Sequence, residues 1–102
     1  MVTVRFTRRC FREDLKRLTR RVAAGALDAA DALKKNPGLG DRLDPPLDRY
    51  WRLRIAGRYR LIYTHEPADD TWWIVLVWER KPGKTDDVYQ ILRLLAGGLE
   101  LR

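Results

Sequence analysis

The apolar residues of this chain change period several times, and each change marks an element. Val2, Val4 and Phe6 alternate with polar residues, the two-residue period of a short strand. Thr7 is placed to cap a helix whose apolar stripe is Phe11, Leu15, Leu18 and Val22, at intervals of four, three and four. Gly25 breaks that stripe. Leu27, Ala30 and Leu33 carry a second short helix to Asn36-Pro37-Gly38, where proline disfavours helix in the residue before it. Residues 37–49 hold three prolines and two glycines and read as a connection over the surface, pinned by Leu39, Leu43 and Leu47.

Alternation resumes at Tyr50. Trp51, Leu53 and Ile55 fall on one face of a strand and Tyr50, Arg52 and Arg54 on the other. Ala56-Gly57 marks a hairpin turn, Arg58 to Thr64 a second strand, and Pro67 to Asp70 the next turn. The third strand runs from Trp72 to Glu79. Its stretch Trp73 to Val77 is apolar without a break, which suits a central strand covered on both faces, with Trp72 and Trp73 straddling them. Pro82-Gly83 ends it. Thr85, Asp86 and Asp87 combine a cap with first-turn acids and open a last helix on Val88, Ile91, Leu92 and Leu95, stopped by Gly97-Gly98. The order is strand, helix, helix, three antiparallel strands, helix. It predicts an α+β fold in which two consecutive helices cover one face of a meander.

At 102 residues the chain has the length of one domain, taken as 1–102. No apolar run approaches the roughly 20 residues of a membrane span, so no membrane partner is expected. The formal net charge is +7, and sixteen of the 21 cations are arginine. That favours phosphate-rich or acidic partners without separating RNA, DNA and acidic protein. Cys10 is the single cysteine, which excludes an intrachain disulfide. With an N-terminus patterned as a strand and not as a secretory leader, it points to the cytoplasm.

The densest chemistry lies between Arg49 and Arg60. Arginines 49, 52, 54, 58 and 60 occur there with no acid among them. Planar, permanently charged forks on stiff strands suit phosphate oxygens, and Tyr50, Trp51 and Tyr59 are interleaved as candidate stacking rings. A three-residue connection Ala56-Gly57-Arg58 sets Arg54 opposite Arg60 and unites Arg52, Arg54 and Arg60 on one face; a two-residue connection splits them. The sequence leaves both open, and leaves open pairing of these arginines with Asp41, Asp44, Asp48 or Glu79. His65, the lone histidine, sits beside Glu66-Pro67 and reads as exposed and inert. Cys10 reads as a small buried filler. There is no metal-ligand spacing, no phosphate loop and no catalytic triad, so neither metal nor cofactor is expected.

The segment from Tyr50 to Tyr63, YWRLRIAGRYRLIY, resembles the paired-strand signature of RelE/ParE-type toxins: a basic strand, a glycine turn, then Tyr-Arg-aliphatic-aliphatic-Tyr. Asn36-Pro37 and Leu39 are similar to that family's break after its second helix. Val77-Trp78-Glu79-Arg80 is similar to its fourth strand, and Val88-Tyr89 to its terminal helix. The likeness runs from Phe6 to Leu95. It implies a toxin of a type II toxin–antitoxin system, cutting mRNA on the ribosome without a metal and held as a hetero-oligomer by a cognate antitoxin. Arg60, Arg80 and Tyr89 would be catalytic, and Arg52, Arg54 and Arg58 would bind RNA. Two departures stand out. Arg52 and Arg54 occupy positions that are lysine in some relatives, and a guanidinium is a poor general base. Lys81-Pro82-Gly83-Lys84 lengthens the path to Tyr89. The other branch of the family implies a different outcome, a non-enzymatic inhibitor of DNA gyrase.

Overall fold

In the computed structural model, which describes residues 1–97, the chain forms one five-stranded sheet with helices on both faces. The strands are β1 (Thr3–Phe6), β2 (Asp41–Arg42), β3 (Tyr50–Ile55), β4 (Tyr59–Glu66) and β5 (Thr71–Glu79), in the spatial order β1-β5-β4-β3-β2. β3, β4 and β5 form the expected antiparallel meander. β1 adds to it in parallel, with Phe6 opposite Ile74. β5 therefore lies inside the sheet, and its apolar run is buried from Trp73 to Val77.

Each face carries its own core. Trp51, Leu53, Ile55, Leu61, Tyr63, Ile74 and Val77 pack against the first helices. Tyr50, Ile62, Trp73, Val75 and Leu76 pack against Val88 and Leu92 of α3 (Val88–Ala96). Val75 and Leu76, neighbours in sequence, lie in the same core. The register explains this: Ile62 pairs with Leu76 but Tyr63 pairs with Ile74, so Val75 is an extra residue in a bulge.

The helical boundaries differ from the sequence pattern. A π-helical turn, Cys10–Asp14, leads into a short α1 (Leu15–Arg17), and the chain turns extended at Leu18. The wider turn rotates the helix face, as the Leu15 N–H bonded to the Cys10 carbonyl shows. Cys10 and Asp14 are then buried, and Phe11, assigned to the apolar stripe, is 58% exposed. α2 (Arg20–Lys35) is one continuous helix, capped by the Thr19 hydroxyl on the Val22 amide. Gly25 lies within it and does not break it. A helical glycine costs about 1 kcal/mol, and the buried face of Val22, Ala26, Ala29, Ala30 and Leu33 outweighs that. The helix ends at Asn36 as expected.

The connection over 37–49 is more ordered than its composition suggests. It contains a 3₁₀ turn, Pro37–Leu39, and the two-residue β2, which pairs with Trp51 and Arg52. Leu47 is buried, Leu43 partly so, and Leu39 is largely exposed. Tyr63 fastens this segment: its hydroxyl donates to the Pro37 carbonyl at 2.7 Å and accepts from the Gly40 amide at 2.9 Å. A Cβ on Gly40 would stand 2.4 Å from the Arg52 carbonyl and 2.6 Å from the Tyr63 hydroxyl. Backbone on one side and a buried ring on the other cannot yield cheaply. Gly40→Ala is therefore expected to cost about 1–3 kcal/mol and to lower the midpoint of urea unfolding, whereas Gly38→Ala, whose tightest neighbour is a side-chain oxygen at 3.2 Å, should cost less.

α3 begins at Val88, later than the Thr85 start expected, because Asp87 is its cap and bonds the Tyr89 amide at 3.0 Å. The helix ends at Ala96 before Gly97; the Gly98 half of the expected stop lies outside the described residues. No helix among the described residues is long and apolar enough to cross a membrane.

Candidate functional site

The β3–β4 turn builds the site. Ile55 pairs with Tyr59, leaving the three-residue connection Ala56-Gly57-Arg58. Ala56 and Gly57 have φ of 35° and 70°, the left-handed region, which glycine enters at no steric cost. This longer turn sets Arg54 opposite Arg60, and Arg60 in turn opposite Trp78. Because side chains alternate along a strand, Arg52 and Arg54 share a face with Tyr50, and Arg60 with Ile62. Arg52, Arg54 and Arg60 thus stand on the α3 side of the sheet. Beyond them the Arg80 amide donates to the Arg58 carbonyl at 2.8 Å, bringing the backbone of those two residues together. The side chains of Arg54, Arg58 and Arg80 are exposed.

Arg60 differs from the others. It is only 8% exposed, and its Nη1 donates to the carbonyls of Gly57 and Tyr59 at 3.2 and 3.0 Å. Two of its five N–H donors therefore brace the turn, which holds the guanidinium still beneath the exposed arginines.

Tyr89 reaches the group despite the longer connection. The Lys81 amide donates to the Asp87 carboxylate, and the Lys81 ammonium meets Asp86 at 2.7 Å. That ion pair raises the lysine's pKa and lowers the aspartate's. Residues 81–87 fold back on themselves and start α3 so that the Tyr89 hydroxyl accepts from Arg52 Nη1 at 3.2 Å. This bond is the main reason the Arg52 pKa lies above its ordinary value, with smaller pulls from Asp41 and Asp44. Arg52 Nε is buried and bonds no acceptor; the Asp41 carboxylate stands 3.9 Å away.

The rings proposed for stacking are elsewhere. Tyr50 is buried in the second core. Trp51 packs on Tyr63 and Trp72 on the opposite face, at centroid distances of 6.1 and 5.2 Å, and Tyr59 packs against that same first core. Their strand positions decide this: all three lean on apolar neighbours. Arg49 lies over the Tyr50 ring, 5.7 Å from its centre. On the arginine side the half-buried rings are Trp78 and Tyr89. Trp78 was legible, since it alternates with Arg80. So was Arg93, one helical turn after Tyr89.

Other residues match or correct their sequence readings. His65 corrects its reading as exposed: it lies within β4, next to that strand's last residue, half-buried, with Nε2 2.8 Å from Asp70 and its ring tilted against Trp72. Cys10 is fully buried and burial pushes its thiol pKa up, which suits a filler. No cluster of three metal-ligating side chains occurs among the described residues.

Arg9 and Asp14, which the sequence did not single out, close the sheet edge past the end of β1. Arg9 grips the Asp14 carboxylate at 3.1 and 2.9 Å and the Val75 carbonyl at 3.0 Å; Asp14 accepts from the Val77 amide at 3.0 Å. Burial pushes the Asp14 carboxyl pKa up against the opposing pull of that amide and of Arg9.

The comparisons with known proteins bear on the family and the fold. The model of the ParE toxin of the parDE type II toxin–antitoxin system matches residues 4–82. Among solved structures, the toxin–antitoxin complex RelBE2 from Mycobacterium tuberculosis is 33% identical with a TM-score of 0.66, over 78% of this chain and 91% of that one. The isolated RelE toxin of E. coli is 15% identical with a TM-score of 0.66, over 93% and 100% of the two chains. The YoeB/ParE toxin from Agrobacterium tumefaciens is 20% identical with a TM-score of 0.62, over 78% and 99%. The last two identities carry the fold alone. No curated protein matches the chain in sequence. Since the family model spans most of the chain and the order of strands and helices is that of RelE-like folds, the chain belongs to the RelE/ParE superfamily as a type II toxin.

Proposed function

We propose that this toxin is an endoribonuclease that cuts mRNA on the ribosome, in the cytoplasm, and is neutralised by a cognate antitoxin in a hetero-oligomeric complex. The observation that carries the reading is the three-residue turn, which gathers Arg52, Arg54 and Arg60 on one face beside Arg80 and the Tyr89 hydroxyl. The chemistry needs no metal. The ribose 2′-oxygen forms a bond to the adjacent phosphorus as the bond from phosphorus to the 5′-oxygen breaks. A proton leaves the 2′-hydroxyl and another reaches the departing 5′-oxygen. Charge builds on the phosphoryl oxygens, where fixed guanidinium groups stabilise it. Arg54, Arg58 and Arg52 hold the RNA backbone, Arg80 and the braced Arg60 face the reacting phosphate, and Tyr89 is the hydroxyl that handles a proton. The antitoxin reading draws on the RelBE2 structure, a toxin–antitoxin complex.

The match to the ParE model supports a second reading, a gyrase inhibitor. The near-complete burial of Arg60 favours it too, since a braced guanidinium can be purely structural. Inducing the chain in cells separates the two. We expect translation to stop first, with cleaved mRNA, and co-expression of the cognate antitoxin to restore growth. Loss of DNA supercoiling with intact mRNA would establish the inhibitor instead. Binding to ribosomes should also weaken steeply between about 50 and 200 mM salt, as counterions are released from phosphates; a flat curve would remove the role given to the arginines.

A further inference from the structure

We propose that the cleft between the Leu43–Leu47 loop and α3 is a nucleotide subsite that selects a base carrying an amino group, cytosine over uracil being the simplest case. The proposal rests on the RNA-binding reading above and extends it to sequence preference. The cleft holds about 220 Å³ and is lined by Leu43, Asp44, Leu47, Arg52, Tyr89 and Arg93, with the two loop prolines.

Its walls are of three kinds. Leucine and proline side chains offer an apolar surface to the flat face of a base, which single-stranded RNA can splay out. Arg52 and Arg93 offer paired N–H donors to phosphate oxygens. Asp44 offers a carboxylate, which when ionised accepts hydrogen bonds and donates none. Cytosine presents an amino group at the edge where uracil presents a carbonyl oxygen, so the carboxylate bonds the first and repels the second.

Position links the cleft to the reacting centre. Arg52 belongs to both. It lies two residues before Arg54 on β3, about 6.6 Å along the strand, so an RNA chain crossing the arginine face passes next into the cleft. Arg93 lies one turn after Tyr89 and shares its helix face. Asp44 and Arg52 line the same cleft, and Asp44 adds a small pull on the Arg52 charge.

The test is a titration of the full chain with cytidine and with uridine 5′-monophosphate, followed by backbone amide resonances. Cytidine monophosphate should move the amides of Asp44, Leu47, Tyr89 and Arg93 and bind about tenfold more tightly than uridine monophosphate, the value of one charge-assisted hydrogen bond. Asp44→Asn supplies a donor as well as an acceptor and should bring the two nucleotides within roughly a factor of two. Arg93→Ala should weaken both by a similar factor. Absence of shifts at the cleft, or equal binding of the two nucleotides by the wild type, overturns the proposal. Shifts at the cleft with a polyglutamate peptide but not with cytidine monophosphate also overturn it, in favour of a peptide occupant. The outcome is independent of cleavage. A wild type that binds cytidine monophosphate in the cleft but cuts no ribosome-bound mRNA keeps the subsite and loses the nuclease. One that cuts mRNA and leaves the cleft unmoved does the reverse.

Discussion

Asp14→Ala is expected to be the most destabilising single change in the helical face, lowering stability by about 3 kcal/mol. β1 ends at Phe6, and the Thr7 amide makes the last backbone bond to β5, at the Ile74 carbonyl. Past that point Arg9 and Asp14 take over, one donating to Val75 and the other accepting from Val77. Removing the carboxylate leaves a buried amide without its acceptor and a half-buried guanidinium without its counterion. For a domain of this size, about 3 kcal/mol corresponds to a melting temperature lower on the order of 15 °C. Asp14→Asn keeps an acceptor for Val77 and should lose less. The two should also diverge with pH. Burial holds the native carboxyl pKa above its value in the unfolded chain, so between the two values the native protein binds more protons than the unfolded one. Asp14's contribution is therefore fully present below the unfolded value and declines as pH rises through the native one. Wild type should lead Asp14→Asn by more in mildly acidic than in mildly alkaline buffer. An equal lead at both would show that Asp14 keeps the same charge throughout.

The sheet was legible because its signals are local. Period-two alternation set the faces of β3, the unbroken run from Trp73 to Val77 marked β5 as central, and Gly57 marked the turn. The helical layer was less legible, because a π turn moves the buried face by a fraction of a turn and no residue type announces it. Gly25 misled for a related reason. Its intrinsic cost is small beside the burial of an alanine-rich helix face. For the arginines, the sequence supplied the residues but not their faces. One residue of turn length decides whether Arg54 meets Arg60, and both lengths are compatible with Ala-Gly-Arg. Tyr89 depended on distant contacts, Asp86 and Asp87 drawing Lys81 back toward α3, which no spacing rule contains. The aromatic residues failed most plainly. Tyr50, Trp51 and Tyr59 looked available between arginines, yet a ring has more to gain in a core than a guanidinium does, so the rings turned inward while Arg54 and Arg58 stayed exposed.

Arg80→Ala is expected to reduce cleavage of ribosome-bound mRNA about 100- to 1000-fold, the usual loss when one preorganised transition-state donor is removed, while the protein stays folded. The side chain is exposed, and the bond of Arg80 to Arg58 runs through the backbone amide, which alanine keeps. Circular dichroism should be unchanged. Arg60→Ala should cost activity and stability together, because Arg60 is buried and braces the turn that sets the Arg54 register. Arg60→Lys distinguishes its roles: a lysine keeps the charge but cannot hold two carbonyls and a phosphate in one plane. Arg54→Ala and Arg58→Ala should weaken ribosome binding more than they slow the bound reaction. Tyr89→Phe is the discriminating variant. It keeps the ring against the second core but deletes the hydroxyl that meets Arg52 at 3.2 Å. A rate at least about 100-fold lower for saturated ribosomes would give that hydroxyl a proton-transfer role; an unchanged rate would leave Tyr89 as a prop for Arg52. If Arg80→Ala and Arg60→Ala both cut as fast as the wild type, the arginine face is not the catalytic site. If the wild type arrests growth while every mRNA stays whole, the arginines serve recognition of a protein target, and the gyrase reading takes its place.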